Sequence, residues 1–534
     1  MALHESKLQH FNKDDHHIQL SIERAAIAAE QFSTMNQEQI DEIVQHMALA
    51  GIGRHMELAK LELDETKRGV FEDKIMKNMN ATESIYHQLK YMKTVGEIEN
   101  NPYEQYKVIA EPIGTLVSLI TEVSPVATTL FQCLVAVKTR NPIIFVFQKE
   151  VTRCGIEAVQ SVRDAAILSG APAFCIQWVD YSTHAATQAL MSHENVALVI
   201  SNGDNELLQA AKQLGKSTLS VSYGNVPCYI ERTADLKQAI TDLILSKNFD
   251  NSMMFTSEQA VLVDRQIYNQ VVRMMNVLGC YFLNEEESNT LMNHIFNEQG
   301  NLQANYIGKS ALHIAQEIEL VIPEDTKLLI VPQDQVGAAF PFSAVKACPI
   351  LALYIVEDAD MAITLAQQLI ALGHGKHSAI IHSHNESIIE KFSQQLLSNR
   401  VIVNAPSIQA AMNNQEREQL PFASFGYQSS TNHQRINMEL LHLKQVSNRN
   451  VDMQWFKIPP KLYFSAGATQ YLTKMPDIHR IIIITDQRMS QLGYVDKVQY
   501  FLRKRSEPIQ IEIFAKVEHE PTIDIVMQGT KRMN

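Results

Sequence analysis

The sequence has no cysteine pair at redox or metal-ligand spacing. Its six cysteines, Cys133, Cys154, Cys175, Cys228, Cys280 and Cys348, stand far apart and form no CxxC. In a chain of this length, that excludes a disulfide-stapled scaffold and points to reduced thiols in a reducing compartment. Positive charge is also short: 46 Lys and Arg face 59 Asp and Glu, a formal net charge of -13. That balance argues against nucleic acid and against an anionic membrane surface, both of which want clustered cations. The opening MALHESKLQHFNKDDHH has no apolar core, so no signal peptide is visible. No hydrophobic run is long enough to span a bilayer; the most apolar, Gly114 to Val137, is interrupted by Glu122 and Pro125. A soluble, cytoplasmic protein is the expectation. Metal is not expected either. His374, His377, His382 and His384 form the only histidine cluster, and only Glu386 joins them at ligand spacing.

What is present is an ordinary globular composition, 46% hydrophobic and 20% charged, over 534 residues. That length holds about three or four domain-sized cores. Residues 18 to 95 contain no proline and space their apolar residues by three and four, which predicts helices. Ser33, Thr34 and Asn36 mark a break and a new cap before Gln37. From Glu111 the rhythm changes. The runs LVSLIT, IIFVF, FCIQWV and VALVIS are each followed by a helical stretch, and four such units predict a parallel, doubly wound α/β sheet. A second series from Val261, with KLLIV, ILALYIV and VIVN, predicts a second α/β lobe. Residues 410 to 450 are polar and read as loops and a linker. IIIIT at 481 to 485, a helix to about 505, and IQIEIF form a third, partial β-α-β pattern.

Several strings carry a resemblance. They include Glu111-Pro112-Ile113-Gly114, Lys138-Thr139-Arg140-Asn141, Gly224-Asn225 with Pro227, and Ala234-Asp235-Leu236-Lys237. The most specific is Ser246-Lys247-Asn248-Phe249-Asp250-Asn251, closed by Ser257-Glu258-Gln259. WFKIPPKLYF at 455 to 464, Thr485-Asp486, Gly493-Tyr494 and Pro521-Thr522 continue the series. In this order they resemble the CoA-acylating aldehyde dehydrogenase half of bifunctional aldehyde-alcohol dehydrogenases, followed by the start of the iron-type alcohol dehydrogenase half. The resemblance implies an aldehyde dehydrogenase-like fold of two doubly wound α/β lobes. It divides the chain into a cofactor-binding-type lobe (1–250), a catalytic-type lobe (251–405), a return segment and linker (406–454), and a truncated alcohol dehydrogenase fragment (455–534). Implied cofactors are NAD and CoA, without the iron, whose ligands would lie beyond Asn534. Implied chemistry is a thiohemiacetal on a cysteine, hydride transfer to NAD, and release of the acyl group to CoA. Family filaments imply a homo-oligomer, or an assembly with an intact homologue.

The same resemblance marks departures. Thioester chemistry needs a thiolate, and the position the family gives that cysteine is Phe255, reached without a gap from Phe249. Cys133 and Cys228 lie in apolar runs and read as core. The oxyanion-holding asparagine before a proline is here Ser124, before Pro125, a shorter donor. The glycine-rich turn after VALVIS keeps Gly203 alone, with Asp204 and Glu206 arriving where a pyrophosphate would lie. Gly224 is retained, its preceding glycines replaced by Ser220 and Ser222. The glutamate that would hold a nicotinamide ribose is Val345. Lys138 is retained, as an adenosine ribose contact or as a salt-bridged lysine. The expectation is a scaffold or interaction paralog with doubtful cofactor binding, and the alternative is an oxidoreductase of altered activity.

Overall fold

The computed structural model describes residues 2–101, 106–179, 183–203, 205–221, 223–373, 378–408, 428–429, 440–447 and 462–533, without the side chains of 2–15, 205 and 428–429. They fall into two units, Met1–Arg449 and Asn450–Asn534. The first unit starts with the helices Ala2–Ser33 and Gln37–Thr66. Asn36 separates them through a capping box: its side chain accepts from Gln39 N while the Gln39 side chain accepts from Asn36 N.

A six-stranded sheet follows, in spatial order Gln428–Ser429, Ser217–Val221, Val196–Asn202, Thr115–Ile120, Ile143–Phe147, Ile176–Val179. All neighbours are parallel except the two-residue edge strand. Every residue of Thr115–Ile120 is buried, which is why it reads as a continuous apolar run rather than an alternation. Strand order reverses between Thr115–Ile120 and Val196–Asn202, so the crevice at their carboxyl ends is the fold's natural ligand position. The helix Pro125–Lys138, buried along its whole length, packs against Gln37–Thr66 and Thr152–Leu168.

A second, all-parallel sheet has seven strands in the order Cys280–Phe282, Leu328–Pro332, Ile350–Val356, Glu258–Asp264, Val226–Ile230, Ser378–His382, Arg400–Val403. Val226–Ile230 and the helix Leu236–Asn248 pack with this sheet. The change of sheet therefore falls between Val221 and Val226, earlier than the expected division at 250.

A third sheet is antiparallel: Gly96–Asn101 pairs Tyr106–Pro112, which pairs Leu441–Ser447. The last strand lies in the stretch read as linker. It is exposed at most positions, and its alternation, Leu441-His442-Leu443-Lys444, has the shortest length that signals a half-buried strand.

In the second unit, Arg480–Ile484 and Gln510–Phe514 form a parallel pair joined through the helix Tyr494–Arg503, and the helix Ile523–Met533 follows. Val495, Leu502 and Phe514 are its buried apolar residues. Among the described residues, no helix is long and apolar enough to cross a membrane.

Candidate functional site

Helix Leu236–Asn248 starts at Asp235, whose side chain accepts from Lys237 N and Gln238 N. It ends in a turn where Asp250, Asn251 and Ser252 have φ of 47°, 51° and 69°. Left-handed backbone costs an L-residue roughly 1–2 kcal/mol, so three in succession need strong external ties. Asp250 supplies most of them. Its Oδ1 accepts from Val70 N at 2.7 Å, and its Oδ2 accepts from Lys77 Nζ at 2.5 Å and from Lys74 Nζ at 3.5 Å. Its own amide donates to Asp73 Oδ2 at 2.7 Å. Asn251 Nδ2 donates to Gly308 O at 2.9 Å. Lys74 also donates to Glu62 Oε1 at 2.5 Å. Burial works against the Lys74 ammonium, yet Asp250 and Glu62 outweigh it and hold its pKa above the ordinary lysine value. For Lys77 burial prevails over Asp250, and the pKa falls below the ordinary value.

This clasp presents the segment from Met253 to the strand Glu258–Asp264. Phe255 is half-buried and packs its ring against Tyr223, centroids 4.8 Å apart and planes tilted by 53°. Its carbonyl accepts from Gly224 N at 3.1 Å. The Tyr223 hydroxyl is buried without a hydrogen-bond partner, and burial, aided by Asp250, raises its pKa. Position 255 therefore offers an aromatic surface and no nucleophilic atom.

Ser124 precedes helix Pro125–Lys138 with φ 49°, and its hydroxyl makes no helix cap. Its Oγ accepts from Lys77 Nζ at 2.7 Å and lies 3.5 Å from Met253 O. Lys77 Nζ donates to Met253 O as well, at 2.9 Å. One buried amine thus links Ser124, Asp250 and the Phe255 segment. Ser124 stands next to the Phe255 segment through Lys77 and Met253, and its hydroxyl is already engaged.

Gly203 lies at the strand-order switch with φ 94°, between Val196–Asn202 and the helix Asn205–Gln213. Asp204 lies outside the described residues, and Glu206 is exposed in the first turn of that helix. The crevice is stitched across. Thr121 Oγ1 donates to Asn202 O at 2.5 Å, and the buried Asn202 Nδ2 donates to Val123 O at 2.8 Å and to Thr128 Oγ1 at 3.2 Å. A Cβ at Gly203 would stand 3.3 Å from Thr121 Oγ1. Among the described residues of this turn, the Gly203 amide is not free, since it donates to Val221 O at 3.1 Å.

Val345 is half-buried in the loop before Ile350–Val356. Its neighbour Lys346 donates its buried ammonium to Phe342 O at 2.6 Å and Ala344 O at 2.7 Å, and its amide to Gln259 Oε1 at 2.7 Å. The loop is thereby fixed beside the Phe255 segment, with the alkyl side chain of Val345 in it.

Lys138 does not join the others. It ends the helix that Ser124 begins, about 20 Å along the axis, and its buried ammonium is bound to Asp41 of the helix Gln37–Thr66. Of the two readings of Lys138, ribose contact or salt-bridged lysine, the structure has the salt bridge. The thiols give no substitute nucleophile. All six are buried, and burial pushes Cys348 up to about 11 and Cys175 and Cys280 up to about 12. Burial also carries Cys133 and Cys228 well above the ordinary thiol range. His382 is buried and His384 exposed; His374 and His377 lie outside the described residues. Lys77, Asn202 and Tyr223 are the participants that no motif announced. Lys77 sits in a helical run whose spacing signals only packing.

The model of the aldehyde dehydrogenase family matches residues 4–278. The chain is 36% identical over 534 residues to aldehyde-alcohol dehydrogenase 2 of Entamoeba histolytica, covering 97% of this chain and 61% of that protein. It spans therefore less than two thirds of that relative's length. The crystal structure of an acetylating aldehyde dehydrogenase from Geobacillus thermoglucosidasius is 33% identical, with a TM-score of 0.78, covering 84% of this chain and 99% of that one. A probable aldehyde dehydrogenase from Listeria monocytogenes EGD-e is 30% identical with a TM-score of 0.78, covering 83% and 98%.

Proposed function

The chain belongs to the aldehyde dehydrogenase family, and on that premise we propose that it is a non-catalytic member that works as a scaffold or interaction partner. The observation that carries this reading is Phe255, ring-packed on Tyr223, in a chain whose six thiols are all buried. Interconversion of acyl-CoA and aldehyde passes through a thioester, and only a thiolate serves as both nucleophile and leaving group there. Two features at the expected cofactor positions support the same reading. The switch-point crevice is bridged by Asn202, and Val345 offers a ribose no acceptor. The test follows NADH consumption with acetyl-CoA, alongside calorimetric titration with NADH. No turnover and no saturable NADH binding at micromolar concentration is the expected result. Measurable turnover would establish the rival reading, an oxidoreductase on aldehydes or acyl-CoA with altered chemistry. Its assembly, as a homo-oligomer or with an intact homologue, belongs to the same proposal.

A further inference from the structure

Away from Phe255, a cavity of about 590 Å³ opens where the break between the two long N-terminal helices meets the strand Tyr106–Pro112. Arg140 lines it and is only 5% exposed. A buried guanidinium is costly unless an anion or a full set of acceptors receives it. Arg140 has neither. Among the described residues, no carboxylate reaches it at ion-pair distance. Of its five donors, one reaches Ser33 O at 3.4 Å and one Ala110 O at 3.3 Å, both beyond the usual range. Its Nε is buried with no partner. Burial lowers its pKa, with only Glu111 acting the other way. Glu111 lines the same cavity, but its carboxylate accepts from Lys444 Nζ at 2.8 Å.

The backbone adds a second point. Arg140 has φ 59°, in the turn after helix Pro125–Lys138. Glycine would occupy that conformation without steric cost, yet the position carries the longest cationic side chain. The rest of the lining suits an amphipathic guest. Met35, Val95 and Ile109 give apolar wall, and Asn36 brings the positive end of the helix Gln37–Thr66 to the rim. The volume lies within the range of small-molecule sites.

We propose that this cavity binds a small organic anion, its carboxylate or phosphate held by the Arg140 fork and its apolar body lying on Met35, Val95 and Ile109. A guanidinium fork takes either oxyanion in two parallel hydrogen bonds. The experiment is calorimetric titration of the whole chain with hexanoate and, separately, with butyl phosphate, repeated on Arg140→Gly and Arg140→Lys. Saturable one-to-one binding of hexanoate assigns a carboxylate ligand, and saturation by butyl phosphate alone assigns a phosphate. Arg140→Gly, which also suits the backbone, should weaken binding at least about tenfold, the loss expected for a hydrogen bond to a charged group. Arg140→Lys keeps the charge without the fork and should fall between the two. No saturation with either probe, or unchanged affinity in Arg140→Gly, overturns the proposal. Should the glycine variant fail to fold by circular dichroism, unchanged affinity in Arg140→Lys overturns it instead, because a point charge cannot replace a bidentate clamp.

Discussion

A cysteine returned to position 255 would stand beside the Tyr223 ring, facing a Ser124 hydroxyl already held by Lys77 at 2.7 Å. It would find no ribose acceptor at Val345 and a bridged crevice at Asn202. Members of a catalytic set act as a unit, so repairing one returns little. Phe255→Cys is expected to reduce acetyl-CoA with NADH at well under about 1 s⁻¹, the low end of ordinary enzymes. Turnover at or above that rate would mean that the site lacks its sulfur and nothing else. His382 supports a prediction of a different kind. Burial lowers its pKa from 6.5 to about 4, so the native ring stays neutral where the unfolded ring is charged. Unfolding then takes up a proton below pH 6.5, and stability falls as pH drops from there towards 4. The full loss is on the order of 3 kcal/mol. Thermal midpoints of wild type and His382→Gln, measured from pH 7.5 to 4, should converge on the acid side; parallel curves would refute the assignment. The reading of Phe255 rests on a string that runs without a gap from Phe249. The choice between the two readings of Lys138 could not be made in advance, because a motif gives identity and order but not that Asp41 would be folded against the helix end.

At the scale of elements, the turn Phe249–Ser252 stands on the Lys77, Lys74 and Asp250 cluster, whose side chains are between 0% and 5% exposed. Removing one partner from a buried pair strands the other's charge at a cost of about 3–5 kcal/mol. Lys77→Met should therefore lower the urea-unfolding free energy by that amount. Lys444→Met, from a half-exposed pair with Glu111, should cost under about 1 kcal/mol. Equal losses would show that the clasp is no stronger than a surface pair. The helical start, the break at Ser33 to Asn36 and the parallel β-α units could be read from apolar period and cap residues. The three left-handed residues could not, because Asp250 and Asn251 read as ordinary helix-end polar residues until Val70, Lys77 and Gly308 are folded against them. The strand Leu441–Ser447 escapes a sequence reading because its alternation, Leu441 to Lys444, is short and stands beside a long polar stretch. The early change of sheet at Val226 was missed because a buried strand looks the same in either sheet.

For the molecule as a whole, the second unit leaves Phe464 89%, Ile523 79% and Ile484 50% exposed. Its two parallel strands pair only with each other among the described residues. Open parallel edges and apolar faces of this kind are normally covered. Light scattering is expected to give a mass above the 60.3 kDa of one chain, and a constant single-chain mass across concentrations would count against assembly. The three-stranded sheet of the first unit has its own consequence, in time. Lys444 and Glu111 meet across it although they are 333 residues apart. A ribosome adding about 5–20 residues per second needs tens of seconds between making the strand Tyr106–Pro112 and making its partner. Through that interval one side of the strand waits unpaired, so the nascent chain is exposed to mispairing, and to chaperones, for tens of seconds.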